Sequence, residues 1–329
     1  MSTEKKLLVV LGATGYQGGS VVRTLLHSPT YHIRAITRNP TSPSAQALAS
    51  AGAELYTADL HSTISLTNAF SGAATIYLVT NFFDDLSTTH KEIEQGKRAL
   101  DIAAKLPTLE HLIWSALPSI TDVSGGKYRN VVHFDSKAVV TQYLKTKKDL
   151  WAKSTVLWIA PYFQLWEQMR TIFGPVRVVG EDGVERFVIK KSAGPGMKMP
   201  WVDVEETGMV VRAILCKGRD LGGKVVAMVG EENVGEATKF KEWGEFVKRP
   251  AEYRQITKEA QVKYLESLGL PPFLVTDMSE HLAAFEEFQG KVYHGPEVIQ
   301  ASEILPEGEK LKDWKEYLHT ADWEPILQK

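Results

Sequence analysis

Three sets of residues have types and spacings that can do chemistry. The first is the segment Gly12-Ala-Thr-Gly15-Tyr-Gln-Gly18. It follows the apolar run Leu7-Leu-Val-Val-Leu11 and opens a helical stretch from about Gln17 to Leu26. In that setting one glycine permits a tight turn, one lets the backbone approach a pyrophosphate, and one lets helix and strand pack closely. The free N–H groups and partial positive charge of the helix N-terminus then face the phosphates. Thr14, Tyr16 and Gln17 lie within the turn and are expected to contact the same ligand. The alternative is a glycine-rich turn that holds nothing. The second is Arg38, in Ala35-Ile-Thr-Arg-Asn-Pro40, about 20 residues beyond the glycines. A cofactor with a free ribose 2′-hydroxyl usually meets Asp or Glu there, and no carboxylate is present. A planar guanidinium instead suits a 2′-phosphate, which makes NADP(H) the expected cofactor. A solvated arginine at a strand end is the other reading. The third is the pair His133 and Lys137. Residues four apart share a helix face, so both can look into one cleft.

These residues need elements to position them. Strand-like runs are expected at Leu7–Leu11, His32–Thr37, Glu54–Thr57, Thr75–Val79, His111–Trp114 and Thr155–Ile159. Helices are expected near Gln17–Leu26, Ser44–Ala51, Ile64–Phe70, Thr89–Ala104 and His133–Lys145. Strands alternating with helices predict right-handed crossovers and an α/β fold with a doubly wound parallel sheet. Ligands in such sheets lie outside the carboxyl ends of the strands. Asp59 with Leu60, and Thr80 with Asn81, end two strands and are therefore expected to face the cofactor, Asp59 at the adenine. After Pro161 the pattern loosens. Phe173–Pro200 reads as loops with short strands, a helix follows from Asp203 to about Cys216, then the strand Lys224–Met228 and a helix near Lys239–Val247. The rest reads as helical, including Lys310–Leu318. The predicted division is a cofactor domain over 1–160 and a smaller, mostly helical substrate or partner region over 161–329, with a soft boundary because late strands can return to the main sheet.

Taken together, Gly12-Ala-Thr-Gly15-Tyr-Gln-Gly18-Gly19-Ser, Thr37-Arg-Asn-Pro40, Leu78-Val-Thr-Asn81 and His133-Phe-Asp-Ser-Lys137 resemble the NmrA-like proteins, which are atypical short-chain dehydrogenase/reductases. The resemblance covers roughly residues 5–165 and continues more weakly beyond. It implies a Rossmann fold, NADP(H) preference and a small C-terminal region closing a substrate cleft. It also implies site roles. Ser115 matches the catalytic serine position and Lys137, expected to contact the cofactor as well, the lysine of the dehydrogenases' Tyr-x-x-x-Lys motif, while His133 stands where the tyrosine is expected. Pro161 fits the position whose backbone approaches the nicotinamide. Two readings stay open. In one, His133 moves the proton, as imidazole does near neutrality, or Lys137 does so if burial disfavours its charge. In the other, turnover is lost and the chain is a redox sensor that regulates a protein partner. Tyr162, Phe163, Trp166 and Trp201 either line an apolar substrate pocket, with Tyr162 and Phe163 beside the cofactor, or form core.

Composition narrows the class. The 329 residues are 43% hydrophobic and 24% charged, with net charge −2. That is an ordinary globular balance, with no long-range attraction for nucleic acid or anionic lipid. The basic stretch Lys145, Lys147, Lys148 and Lys153 contains Trp151 but no nucleic-acid motif, and reads as a solvated helix end. No run approaches the roughly 18 apolar residues of a membrane span. The apolar run after Met1–Lys6 is too short for a signal peptide. The single cysteine, Cys216, reads as a small core residue and fits a reducing compartment, so the expectation is cytosolic. The nine histidines are scattered without metal-ligand spacing, so no metal site is expected.

Overall fold

The computed structural model describes residues 5–86 and 90–328. Thr89, the expected start of the long fourth helix, and Met1–Glu4 lie outside the described residues.

An eight-stranded, wholly parallel sheet forms the frame. Its strands are β1 (Lys6–Val10), β2 (Tyr31–Thr37), β3 (Glu54–Thr57), β4 (Thr75–Leu78), β5 (His111–Ala116), β6 (Ser154–Ile159), β9 (Lys224–Met228) and β11 (Val298–Gln300). The spatial order is β11-β9-β6-β5-β4-β1-β2-β3. Chain order therefore reverses beside β1, between β2 and β4. A parallel sheet of this kind opens a crevice at that point, at the carboxyl ends of the strands.

The central strands are apolar because both faces are covered. In β1, Leu8 and Val10 turn to one core and Val9 to the other, and all three are fully buried. In β5, Ile113 turns to the first core and Leu112 and Trp114 to the second. This is the two-residue period of a strand sandwiched between helix layers. The helices Tyr16–Leu25, Thr63–Phe70, Lys91–Ala103 and Val132–Thr146 supply the layers. Their ends follow local chemistry. Ser62, for example, caps its helix by accepting from Ser65 N–H.

Beyond residue 160 the chain returns β9 and β11 to the main sheet beside β6. It also builds a separate three-stranded sheet from β7 (Val176–Val179), β8 (Glu185–Lys191) and β10 (Ala251–Gln255). Neither β10 nor β11 was expected. The first is polar, and the second is only three residues long and is defined by its pairing with Val225–Ala227. Three other expectations shift. Asp203 caps a 3-10 turn, Val204–Glu206, before the α-helix Thr207–Lys217 begins. The last long helical stretch starts at Trp314, because Asp313 and Glu316 form a capping box there. Cys216 is exposed rather than core, since Val210, Val211, Ala213 and Ile214 occupy the inward face of its helix. No helix among the described residues is long and apolar enough to cross a membrane.

Candidate functional site

The glycine turn starts where β1 ends. Leu11 N–H donates to Tyr77 O at 3.0 Å, which holds the turn against β4. Gly12 has φ +61°, a left-handed conformation that favours glycine. A Cβ on Gly18 would lie 2.3 Å from Gly12 O, so only glycine lets helix and turn approach this closely. The helix Tyr16–Leu25 has Gly15 as N-cap, no capping side chain and no acidic residue in its first turn. Its first N–H groups therefore remain available to an anion, and the turn fits a dinucleotide pyrophosphate.

A cleft of about 720 Å³ runs along this crevice. Gly12, Thr14, Gly15, Tyr16, Gln17, Gly18, Arg38, Asp59, Leu60, Thr80 and Asn81 all line it, as do His133, Lys137, Pro161 and Tyr162. At one end, Arg38 lies at the mouth, and both terminal nitrogens donate to Asp84, at 2.6 and 2.8 Å. Asp84 ends the short 3-10 turn Phe82–Asp84, which Asn81 caps by accepting from Phe83 N–H. That pairing holds the Arg38 guanidinium above its usual pKa.

Two expected residues do not reach the cleft. Ser115 is buried because the register of β5 turns it under the glycine turn, where its hydroxyl donates to Gln17 Oε1 at 2.7 Å. Tyr77 donates to the same oxygen at 2.7 Å, and Gln17 Nε2 donates to Tyr162 Oη. Gln17 thus ties β4, β5 and the end of β6 beneath the crevice, and burial raises the Tyr162 phenol pKa. Phe163 points away, stacked on Tyr317 at 4.3 Å and near Trp201 at 6.0 Å. With Trp166 and Trp201, also buried, it belongs to an aromatic core; of that group only Tyr162 lines the cleft.

The other end is a chamber walled by Phe82, Phe83, Phe134, Met169, Phe173 and Met278. His133 enters it from the helix Val132–Thr146, its ring 6.1 Å from Phe82 and 5.9 Å from Phe83. Its Nδ1 lies 2.5 Å from Oδ1 of Asp277, and its backbone N–H donates to Oδ2 at 3.0 Å. Asp277 is fully buried on the helix Pro272–Phe288. One turn further on, His281 lines the same chamber with its ring 5.0 Å from His133. Burial, with His133 and Lys191 adding, holds His281 well below the usual histidine pKa, and its Nε2 has no hydrogen-bond partner among the described residues. Lys137 is anchored instead. Its Nζ donates to Thr80 O and Thr80 Oγ1, each at 3.0 Å, and pairs with the buried carboxylate of Glu92. Glu92 also accepts from Thr80 Oγ1 at 2.7 Å and from Ser136.

Sequence reasoning missed Asp84, Glu92, Asp277 and His281. Glu92 sits in the charged run Lys91-Glu-Ile-Glu, which reads as a solvated face. Asp277 gave a usable signal. It is a lone carboxylate in the apolar stretch Pro272–Met278, four residues before a histidine. No group of three or more candidate metal ligands occurs among the described residues.

The model of the NmrA-like family matches residues 4–318. The NmrA-like family domain-containing oxidoreductase FrzB of Cladobotryum sp is 30% identical over 234 residues, covering 68% of this chain and 69% of that protein. Among solved structures, Citrobacter sp. triphenylmethane reductase complexed with NADP(H) superposes with a TM-score of 0.71 at 18% identity, covering 96% of this chain and 100% of that one. NmrA, a negative transcriptional regulator, in complex with NADP, superposes with a TM-score of 0.65 at 21% identity, covering 98% and 99%. At these identities the two structures share the fold, a Rossmann-type α/β sheet.

Proposed function

The chain belongs to the NmrA-like family, and on that premise we propose that it is an NADP(H)-dependent oxidoreductase acting on a small, apolar carbonyl, enol or imine compound. The observation that carries this reading is the chamber. A protein that only reads a dinucleotide needs the turn and crevice. Here the same cleft runs on past Thr80 and Pro161 into an apolar space that holds His133 and His281. Apolar walls with a few polar groups are the usual build of a small-molecule site.

In this reading Gly12, Thr14, Gly15, Tyr16, Gln17 and Gly18 hold the pyrophosphate and Arg38 the 2′-phosphate. Asp59 and Leu60 flank the adenine, and Thr80, Asn81, Pro161 and Tyr162 border the nicotinamide. Bound NADPH supplies a hydride. The protein's part is to exclude water, align the substrate and manage the proton. Ser115 acts here only through Gln17, by holding the floor of the crevice. The relative named as an oxidoreductase supports the reading.

The test is NADPH consumption by the intact protein across aldehydes, ketones, enones and cyclic imines. Substrate-dependent oxidation is the expected result. Saturable NADPH binding without oxidation of any of them would favour the second reading, a sensor that changes a protein partner's binding with the NADPH/NADP ratio. One observation favours that alternative: Lys137 directs its hydrogens at Thr80 and Glu92 rather than at the cleft.

A further inference from the structure

The geometry points to an Asp277–His133 dyad as the proton-delivering device of this cleft, with Asp277 as positioning residue and Lys137 outside the proton path. This rests on the oxidoreductase reading above. The two residues are 144 positions apart and come from separate helices. Asp277 directs both carboxylate oxygens at one residue, taking the ring at Nδ1 and the backbone N–H of His133. Facing a carboxylate, Nδ1 must carry a hydrogen. Nε2 is then the ring nitrogen left to act. It makes no hydrogen bond among the described residues, and His133 lines the open cleft.

The neighbours fit this assignment. His281 stays neutral in its buried position, so no second positive ring opposes charge on His133. Lys137 has three N–H donors, and protein oxygens of Thr80 and Glu92 accept them, leaving none aimed at a ligand.

Reducing a carbonyl adds a hydride to carbon and a proton to oxygen. The hydride, with its electron pair, comes from NADPH as co-reactant. The C=O π bond breaks while one C–H and one O–H bond form. The O–H proton leaves Nε2 of the doubly protonated ring, whose Nδ1–H stays with Asp277. The carboxylate offsets the ring's positive charge before transfer, and Nε2 regains a proton from solvent once the product has left the cleft. His133 thereby does the work of the tyrosine that its position lacks.

The test compares intact wild type, His133→Gln and Asp277→Asn. Asparagine still offers an acceptor to the backbone N–H of His133, so the tie between helices survives while the carboxylate is lost. The expected result is NADPH affinity within about threefold of wild type, little change in KM, and kcat lower by about 10²–10⁴-fold in both variants. A second readout needs no turnover. With ¹⁵N-labelled histidine, wild type shows a far-downfield, hydrogen-bonded Nδ1 proton that both variants lack. Added imidazole restores part of the turnover of His133→Ala. If Asp277→Asn fails to fold, His133→Gln and the rescue decide. Undiminished kcat in a folded dyad variant overturns the dyad and leaves the oxidoreductase reading standing. A wild type that shows the downfield proton and binds NADPH, yet reduces no substrate, overturns both.

Discussion

At the Arg38 end of the cleft, the lining groups come from the glycine turn and from the ends of strands β2, β3 and β4, and Arg38 is 60% exposed. At the His133 end, they come from helices 144 residues apart, and Asp277 is wholly buried. The first end is a local motif held by backbone, in contact with water. The second is a tertiary assembly in which each charged group depends on one buried partner. The same substitution type should therefore have different consequences at the two ends, large at the buried end and small at the open one.

The largest effect on stability is expected for Lys137→Met. It leaves the Glu92 carboxylate, 2% exposed, without its cation. Removing one member of a buried pair costs about 3–5 kcal/mol, and adding Glu92→Leu should recover most of it, because replacing both partners with apolar groups is often neutral. Thermal or urea unfolding of the single and double variants checks this. A single variant as stable as wild type would break the contrast between the two ends.

Arg38→Ala comes next. It should weaken NADPH binding by about 1.5–3 kcal/mol, roughly ten- to hundredfold, while NADH affinity barely changes. Isothermal titration with both cofactors is the measurement. Equal losses would remove the 2′-phosphate assignment. The smallest effect is expected for Asp84→Asn. Both terminal nitrogens of Arg38 are on Asp84, so a 2′-phosphate must share or displace that carboxylate. Exposed pairs are worth about 0–1 kcal/mol. Freeing Arg38 should tighten NADPH by no more than a few-fold and leave NADH unchanged. A gain for both cofactors would place Asp84 in some other role.

The same division decides what was legible in the sequence. Gly12, Gly15, Gly18 and Arg38 could be placed at the crevice directly, because their position there follows from chain spacing after a strand. The central strands β1, β4, β5 and β6 were legible for a related reason: burial on both faces makes each a short apolar run bounded by turns. The His133 end was half legible. Its own residue stood out, but Asp277 and Glu92 gain meaning only when the helices Pro272–Phe288 and Lys91–Ala103 pack against the one that carries His133 and Lys137. Ser115 and Phe163 show the reverse error. Both lie close to the site in sequence, yet β-strand register and aromatic stacking turn their side chains away from the cleft. The strands β10 and β11 were missed because pairing partners, rather than an apolar pattern, define them.

The central claim is that the two ends serve one reaction. The direct measurement uses NADPH deuterated at both C4 positions of the nicotinamide. It is incubated with the intact protein and the carbonyl, enone and imine panel, and products are weighed by mass spectrometry. The account predicts a reduced product carrying a single deuterium on the carbon that was reduced, formed by wild type and lost in His133→Gln. Saturable binding of the labelled cofactor with no deuterium in any product would contradict it.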